Sequence, residues 1–342
     1  MWSMLHLRKG RLNLGGAIRS GRMVGEDQVP GYPGPSGLTV ERTDTLRRFV
    51  FEGYPFRGQL VHVDTAWQAM MEHHHYPAGV RDSLGEAVAA TVLLASTLKF
   101  EGQLSLQLRG SGPMHLMLVE CSDRLALRGV ARFRDPPDSH DLRVLSGDGT
   151  LTVTLTSKQL AKPYQGIVPL AGERMSDCLG HYFESSEQLP TRVWLSADGT
   201  RISGLLLQRL PEKSAPGSIP PLGGAAPSAD EVADAWRRVQ MMADTVTDRE
   251  LLQLKDTDLL HRLFSEDNLR VFEPAPVYFR CSCSRERVVT MLKSLGQQEV
   301  ASIVEEQGAV EVRCEFCNRA YDFDAVDAAG LFADALTPSG PH

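Results

Sequence analysis

Cysteine is scarce, with six residues in a chain of 342. A secreted domain held by disulfides would be shorter and denser in cysteine, so a disulfide scaffold is excluded. Long apolar runs are lacking too. The longest weakly polar stretch, residues 87–98, stops at Lys99 and is too short to span a bilayer. Positive charge is not in excess: 36 Lys+Arg stand against 43 Asp+Glu, a formal net charge of −7. That sign argues against non-specific binding of nucleic acid or an anionic membrane. There is no Gly-x-Ser-x-Gly, no His-Glu-x-x-His, no Walker loop and no dinucleotide fingerprint, which lowers the odds of an enzyme. What is present is ordinary for a chain that buries a core: 42% hydrophobic and 23% charged residues, over a length that suggests about two domains.

Residues 1–24 carry Arg8, Lys9, Arg11, Arg19 and Arg22 and no acid. The expectation is a basic, disordered extension over 1–43 on a cytoplasmic protein; organelle import applies if this segment is a transit peptide. Strand patterns are read at 46–51, 58–64, 104–108, 151–155, 193–195 and 205–207, and helices at 65–74, 87–98 and 173–186. Ser83 and Glu86 have capping-box spacing, and 87–98 is apolar on nearly every face, as in a helix buried between layers. Strands and helices without strict alternation predict an α+β fold. The domain reading is an α+β domain at 44–210, a Pro/Gly-rich loop at 211–227 and a helical linker at 228–270. A zinc-binding domain at 271–336 and a tail at 337–342 complete it. The linker helices are too short to stand alone, so they are expected to dock through Trp236, Leu252, Leu259, Leu260 and Phe264.

Four cysteines crowd into Cys281-Ser-Cys283 and Cys314-Glu-Phe-Cys317. Each pair supplies two thiolates from one tight turn, and the spacer between them brings the turns together, which is how a chain builds a tetrahedral zinc site. The readings open at this point are a passive zinc staple, as in a zinc-ribbon interaction module with a purely structural metal, and an iron–sulfur cluster, whose usual spacings differ. A disulfide oxidoreductase would need a Cys-x-x-Cys at a helix start in a βαβ context, and no such context surrounds Cys314. Residues 276–342 hold ten acids against six bases, the wrong sign for a nucleic-acid ribbon. Cys121 and Cys178 read as packing residues. His73, His74 and His75 cannot converge on one ion, because adjacent helical residues point apart.

The sequence resembles the HslO family, the redox-switched 33 kDa heat-shock holdase chaperones of bacteria, from about residue 44 to 335. The stretches that carry the resemblance include Thr97-Leu-Lys-Phe-Glu-Gly102, Gly110-Ser-Gly-Pro-Met114, Arg128-Gly-Val-Ala-Arg132, Tyr164-Gln-Gly166, Ser186-Glu-Gln-Leu-Pro-Thr191, Cys281-Ser-Cys-Ser-Arg-Glu-Arg287 and Cys314-Glu-Phe-Cys317. The basic extension and the insert near 211–227 depart from the pattern. The resemblance implies an ATP-independent holdase and no enzymatic activity. It implies one zinc per reduced chain on Cys281, Cys283, Cys314 and Cys317. It also implies zinc release on oxidation, with disulfides Cys281–Cys283 and Cys314–Cys317. It implies that the 44–210 domain is the substrate-binding one and that 228–270 is a metastable linker, which then unfolds; the active form is a homodimer that binds unfolding clients. No nucleic-acid or membrane partner is expected.

Overall fold

The structure, a computed structural model, describes residues 5–7, 44–183, 189–211 and 227–333. The rest of the expected 1–43 extension, the loop at 212–226 and the 337–342 tail lie outside the described residues. Two compact units are present: Arg42–Arg280, and the described residues from Cys281 onward together with Leu5–Leu7.

In chain order, β1 (Leu5–Leu7) is followed by β2 (Thr45–Phe51), β3 (Phe56–Val63), α1 (Thr65–Met71) and α2 (Ala78–Thr97). Next come β4 (Gly102–Gly110), β5 (Met114–Ser122), β6 (Ala126–Phe133), α3 (Leu142–Ser146), β7 (Gly149–Ser157) and β8 (Tyr164–Pro169). Then α4 (Met175–Tyr182), β9 (Thr191–Ala197) and β10 (Ile202–Arg209) lead into α5 (Ala229–Ala243), α6 (Asp248–Gln253) and α7 (Asp256–Phe264). The larger unit ends with β11 (Leu269–Val271), β12 (Ala275–Pro276) and β13 (Tyr278–Phe279). The smaller unit has α8 (Arg285–Leu295), α9 (Gln297–Gln307), β14 (Val310–Cys314), β15 (Ala320–Phe323) and α10 (Ala325–Ala333). This is the expected α+β architecture.

One sheet of the larger unit runs β11-β2-β3-β10-β9, with β12 also on β2; the other runs β13-β6-β5-β4-β7-β8. Helix α2 lies between them. Val61, Val63, Ile202 and Leu206 meet it from the first sheet, and Leu104, Leu106, Met117 and Val119 from the second. A helix enclosed in this way must be apolar all round, and Ala87, Val88, Ala89, Ala90, Val92, Leu93 and Leu94 are all buried. A Cβ on Gly85 would sit 2.6 Å from that of Ala197 and 2.7 Å from Cγ2 of Ile202, so glycine permits the close approach of helix and sheet. The helix starts earlier than the Ser83 signal suggests. It begins after Pro77, and Ser83 is buried in its second turn. Glu86 caps another helix: its carboxylate takes Arg174 Nη2 at 3.0 Å and the Met175 N–H at 3.4 Å, at the start of α4.

The first sheet is apolar on both faces. Successive side chains alternate in direction, so Leu206 faces α2 while Leu205 and Leu207 face away. On that far side Phe49, Phe51, Phe56 and Leu60 complete a platform, and α5, α6 and α7 pack on it. Phe49 lies across the strand from Gly58, and its ring occupies the space that a Cβ there would need. Helices α5 and α6 begin with capping boxes, Ser228 with Glu231 and Thr247 with Glu250. Residues 271–280, expected with the zinc-binding domain, belong to the larger unit because β12 pairs with β2 and β13 with β6.

In the smaller unit, β14 pairs antiparallel with β15 and with β1. Its buried apolar residues are few: Val288, Leu292, Val300, Ile303, Val310, Val312, Phe316, Tyr321, Phe323 and Ala328. Arg285 lies over the Phe323 ring at 4.2 Å and pairs with Asp327 at 2.7 Å. Under about 70 residues, a core of this kind rarely suffices without a staple. Among the described residues, no helix is long and apolar enough to cross a membrane.

Candidate metal centre

Cys281 and Cys283 leave the larger unit in extended chain, immediately before the Ser284 N-cap of α8. Cys314 ends β14, and the chain turns sharply to bring Cys317 back. Asn318 N–H donates to the Cys314 carbonyl at 2.7 Å, and Cys314 N–H to the Arg319 carbonyl at 3.0 Å. Asn318 adopts a left-handed φ of 51°, a conformation that asparagine tolerates better than most residues. Phe316 is buried at the tip and anchors the turn.

The two turns bring all four sulfurs within 4.8 Å of one another. Cys281 Sγ is 3.6 Å from Cys314 Sγ, and Cys283 Sγ is 3.3 Å from Cys317 Sγ. The Tyr321 hydroxyl donates to Cys283 Sγ at 3.2 Å. Hydrogen bonds from Cys281, Cys314 and Cys317, with Tyr321 adding to them, hold Cys283 well below the ordinary thiol range. Four convergent sulfur donors form a cluster able to hold a metal ion.

The other two cysteines are buried in the larger unit, outside this cluster. Burial, with a contribution from Asp123, pushes the Cys121 thiol up to about 12. Burial also raises Cys178, whose Sγ lies 3.3 Å from the Ala171 carbonyl oxygen. A thiol that resists ionisation reacts slowly. His74 stacks on Tyr76 at 5.0 Å, and the histidine triplet joins no metal-binding group among the described residues.

The linker residues fall on the platform with one exception. Trp236 meets Phe56 at 5.1 Å between ring centroids, and Phe264 meets Phe51 at 5.2 Å. Leu259 and Leu260 are buried in the same cluster. Leu252 is not; the Thr247 capping box sets the phase of α6 so that Leu251 points into the cluster instead.

Comparison with known proteins agrees with this fold. The Hsp33 protein family model matches residues 44–324, from the start of β2 to the end of β15. A 33 kDa chaperonin of Methylobacillus flagellatus is 42% identical over 302 residues, 88% of this chain and 98% of the relative. One from Nitrosococcus oceani is 43% identical over 297 residues, 87% and 97% respectively. The crystal structure of the Thermotoga maritima 33 kDa chaperonin shares the fold, with a TM-score of 0.70 at 20% identity, over 85% of this chain and 99% of that one. An unbroken match across both units, at such identity and nearly full length, assigns the chain to the Hsp33 family of chaperones, which are not enzymes.

Proposed function

We propose that the protein is a redox-regulated, ATP-independent holdase, cytoplasmic, that captures unfolding proteins under oxidative stress. The observation that carries this reading is the approach of four sulfurs within 4.8 Å in a unit with few buried apolar residues. A tetrahedron of sulfurs about 2.3 Å from zinc has edges of about 3.8 Å, and the observed contacts of 3.3 and 3.6 Å are close to that. Cys281, Cys283, Cys314 and Cys317 would hold one zinc ion in the reduced chain. Bound zinc keeps the sulfurs as thiolates, the form that peroxide attacks.

Oxidation to Cys281–Cys283 and Cys314–Cys317 removes two electrons per bridge; each bridge consumes one hydrogen peroxide, which takes up the two electrons and two protons from solvent and leaves as two waters. Both bridges are local, so neither ties one turn to the other. The cross-pair approach is lost with the metal, and the fold of the smaller unit goes with it. A bridge between residues two apart closes a cramped ring and is easily reduced, which suits a reversible switch. The linker at 228–270 is the gate. Its release bares the Phe49, Phe51, Phe56 and Leu60 platform, an apolar patch that attracts clients and a second copy of the chain. The oxidised form is therefore read as a homodimer.

The test is metal content and suppression of client aggregation, measured before and after peroxide. A switch loses zinc and gains activity. A structural zinc module does neither, and an oxidoreductase turns over dithiol substrates. A companion prediction concerns the buried thiols. Cys121→Ala and Cys178→Ala should leave activation by peroxide intact, since both thiols are packed in the core of the larger unit and neither belongs to the four-sulfur cluster. Loss of activation in either folded variant would place part of the switch outside 281–317.

A further inference from the structure

The apolar seat of the linker is crossed by a line of polar contacts. His62 stands on β3 two residues from Leu60, so it faces the linker. Its Nδ1 is 2.8 Å from Asp256 Oδ1, and its Nε2 is 2.9 Å from the Leu251 carbonyl oxygen. The second oxygen of Asp256 accepts from Arg47 Nε at 2.6 Å. Arg201, also on the sheet side, donates from Nη1 to the Leu252 carbonyl at 3.1 Å. The side chains of His62 and Asp256 are only 14% and 12% exposed.

These contacts all fall at one joint, where α6 ends and α7 begins. The last carbonyls of a helix have no partner within it, and Leu251 and Leu252 lie in the final turn of α6. Asp256 is the first residue of α7, and the Lys255 N-cap makes no side-chain capping bond. The last carbonyls of α6 therefore obtain polar partners from the sheet, and the first residue of α7 is anchored there through its carboxylate. Burial pushes the Asp256 carboxyl up, but hydrogen bonds from His62 and Arg47 outweigh it and hold the group below the ordinary carboxylate range. An ionised Asp256 at the positive end of α7 is further favoured by the helix dipole.

We infer that His62, supported by Arg47 and Arg201, is a capping latch: it closes the α6–α7 joint only while the linker lies on the sheet, so undocking and loss of helix are one event. Leaving the sheet deprives α6 of its end partners, α7 of the anchor on Asp256, and both short helices of their apolar floor. Helices of six and nine residues do not survive that loss in water. The linker has no docked-but-loose or free-but-helical intermediate to occupy, and the gate opens fully or not at all. The inference rests on the reading that release of this segment activates the chaperone.

The experiment uses the full reduced, zinc-loaded chain carrying His62→Ala, Asp256→Asn, both together, or His62→Gln. Hydrogen exchange is compared at 248–264 and in α2, alongside suppression of client aggregation. His62→Ala and Asp256→Asn should each speed exchange at 248–264 by about ten- to a hundredfold, with α2 still protected. The double variant should add little, because both changes break the same bridge. His62→Gln keeps a donor for the Leu251 carbonyl and should recover part of the protection. Wild-type exchange at 248–264 in His62→Ala overturns the latch. So does acceleration that spreads equally to α2, which marks a general loss of stability. Fast exchange confined to 248–264 without any gain in holdase activity leaves the latch standing and overturns the reading that undocking activates.

Discussion

Reduced protein carrying Cys283→Ser will bind little zinc and will lose the fold of residues 281–333. Serine offers no thiolate, so the site falls from four soft ligands to three and the Tyr321 hydroxyl loses its sulfur acceptor. Metal binding to such a site supplies on the order of 10 kcal/mol of folding free energy. The buried residues of the smaller unit cannot replace that. Fully burying a Val or Phe contributes only about 1.5–3 kcal/mol, against about 1–2 kcal/mol of backbone entropy for each residue ordered. Helices α8, α9 and α10 should therefore lose their circular dichroism and exchange protection, while α2 in the larger unit keeps its own. A strong chelator should do the same to reduced wild type. If the variant matches wild type in bound metal and in circular dichroism, the four-thiolate assignment fails.

Leu260→Asp should make the reduced, zinc-loaded protein active as a holdase. Leu260 is 3% exposed, within the cluster that joins α7 to Phe49, Phe51 and Phe56. The substitution removes a buried leucine and sets a carboxylate against aromatic rings. The combined cost to docking is about 3–5 kcal/mol, a shift of more than a hundredfold toward the undocked linker. The measurement is aggregation of a thermally unfolded client with reduced variant and wild type side by side. Exchange over 228–269 reports the structure. Fast exchange across this segment in a variant as inactive as reduced wild type would show that the linker is not the gate.

Much of this arrangement could be read before any coordinates. The all-apolar stretch at 87–98 reported a helix enclosed on every side, and two close cysteine pairs reported a four-sulfur cluster. Features made by distant residues were harder to read. A Ser-x-x-Glu pattern marks a helix start only when nothing else claims its members. Glu86 is claimed by Arg174 and Met175, while the same pattern at Ser228 and Thr247 does begin helices. Leu251 and Leu252 are equally apolar, and only the phase of α6 separates them. The strands from 269 to 279 are two or three residues long, too short to show a period, and exist because β2 and β6 offer partners. The platform was hidden because Phe49, Phe51 and Phe56 are spread over two strands. His62 gave no signal at all, since its partners lie on the far side of the chain in sequence.

The sheet with two apolar faces also bears on how fast such a protein answers a stimulus. Its outer face is already built beneath the linker, on strands whose other side is locked into the main core. Nothing has to fold for that face to appear. Segments as short as α6 and α7 rearrange on the order of microseconds once their support is gone, whereas disulfide formation takes seconds to hours. Under the proposed switch, oxidation at the sulfurs therefore sets the response time, and reduction followed by rebinding of metal sets the recovery time. Changes to the linker should alter how much protein is active at equilibrium and leave both of those clocks where the sulfur chemistry puts them.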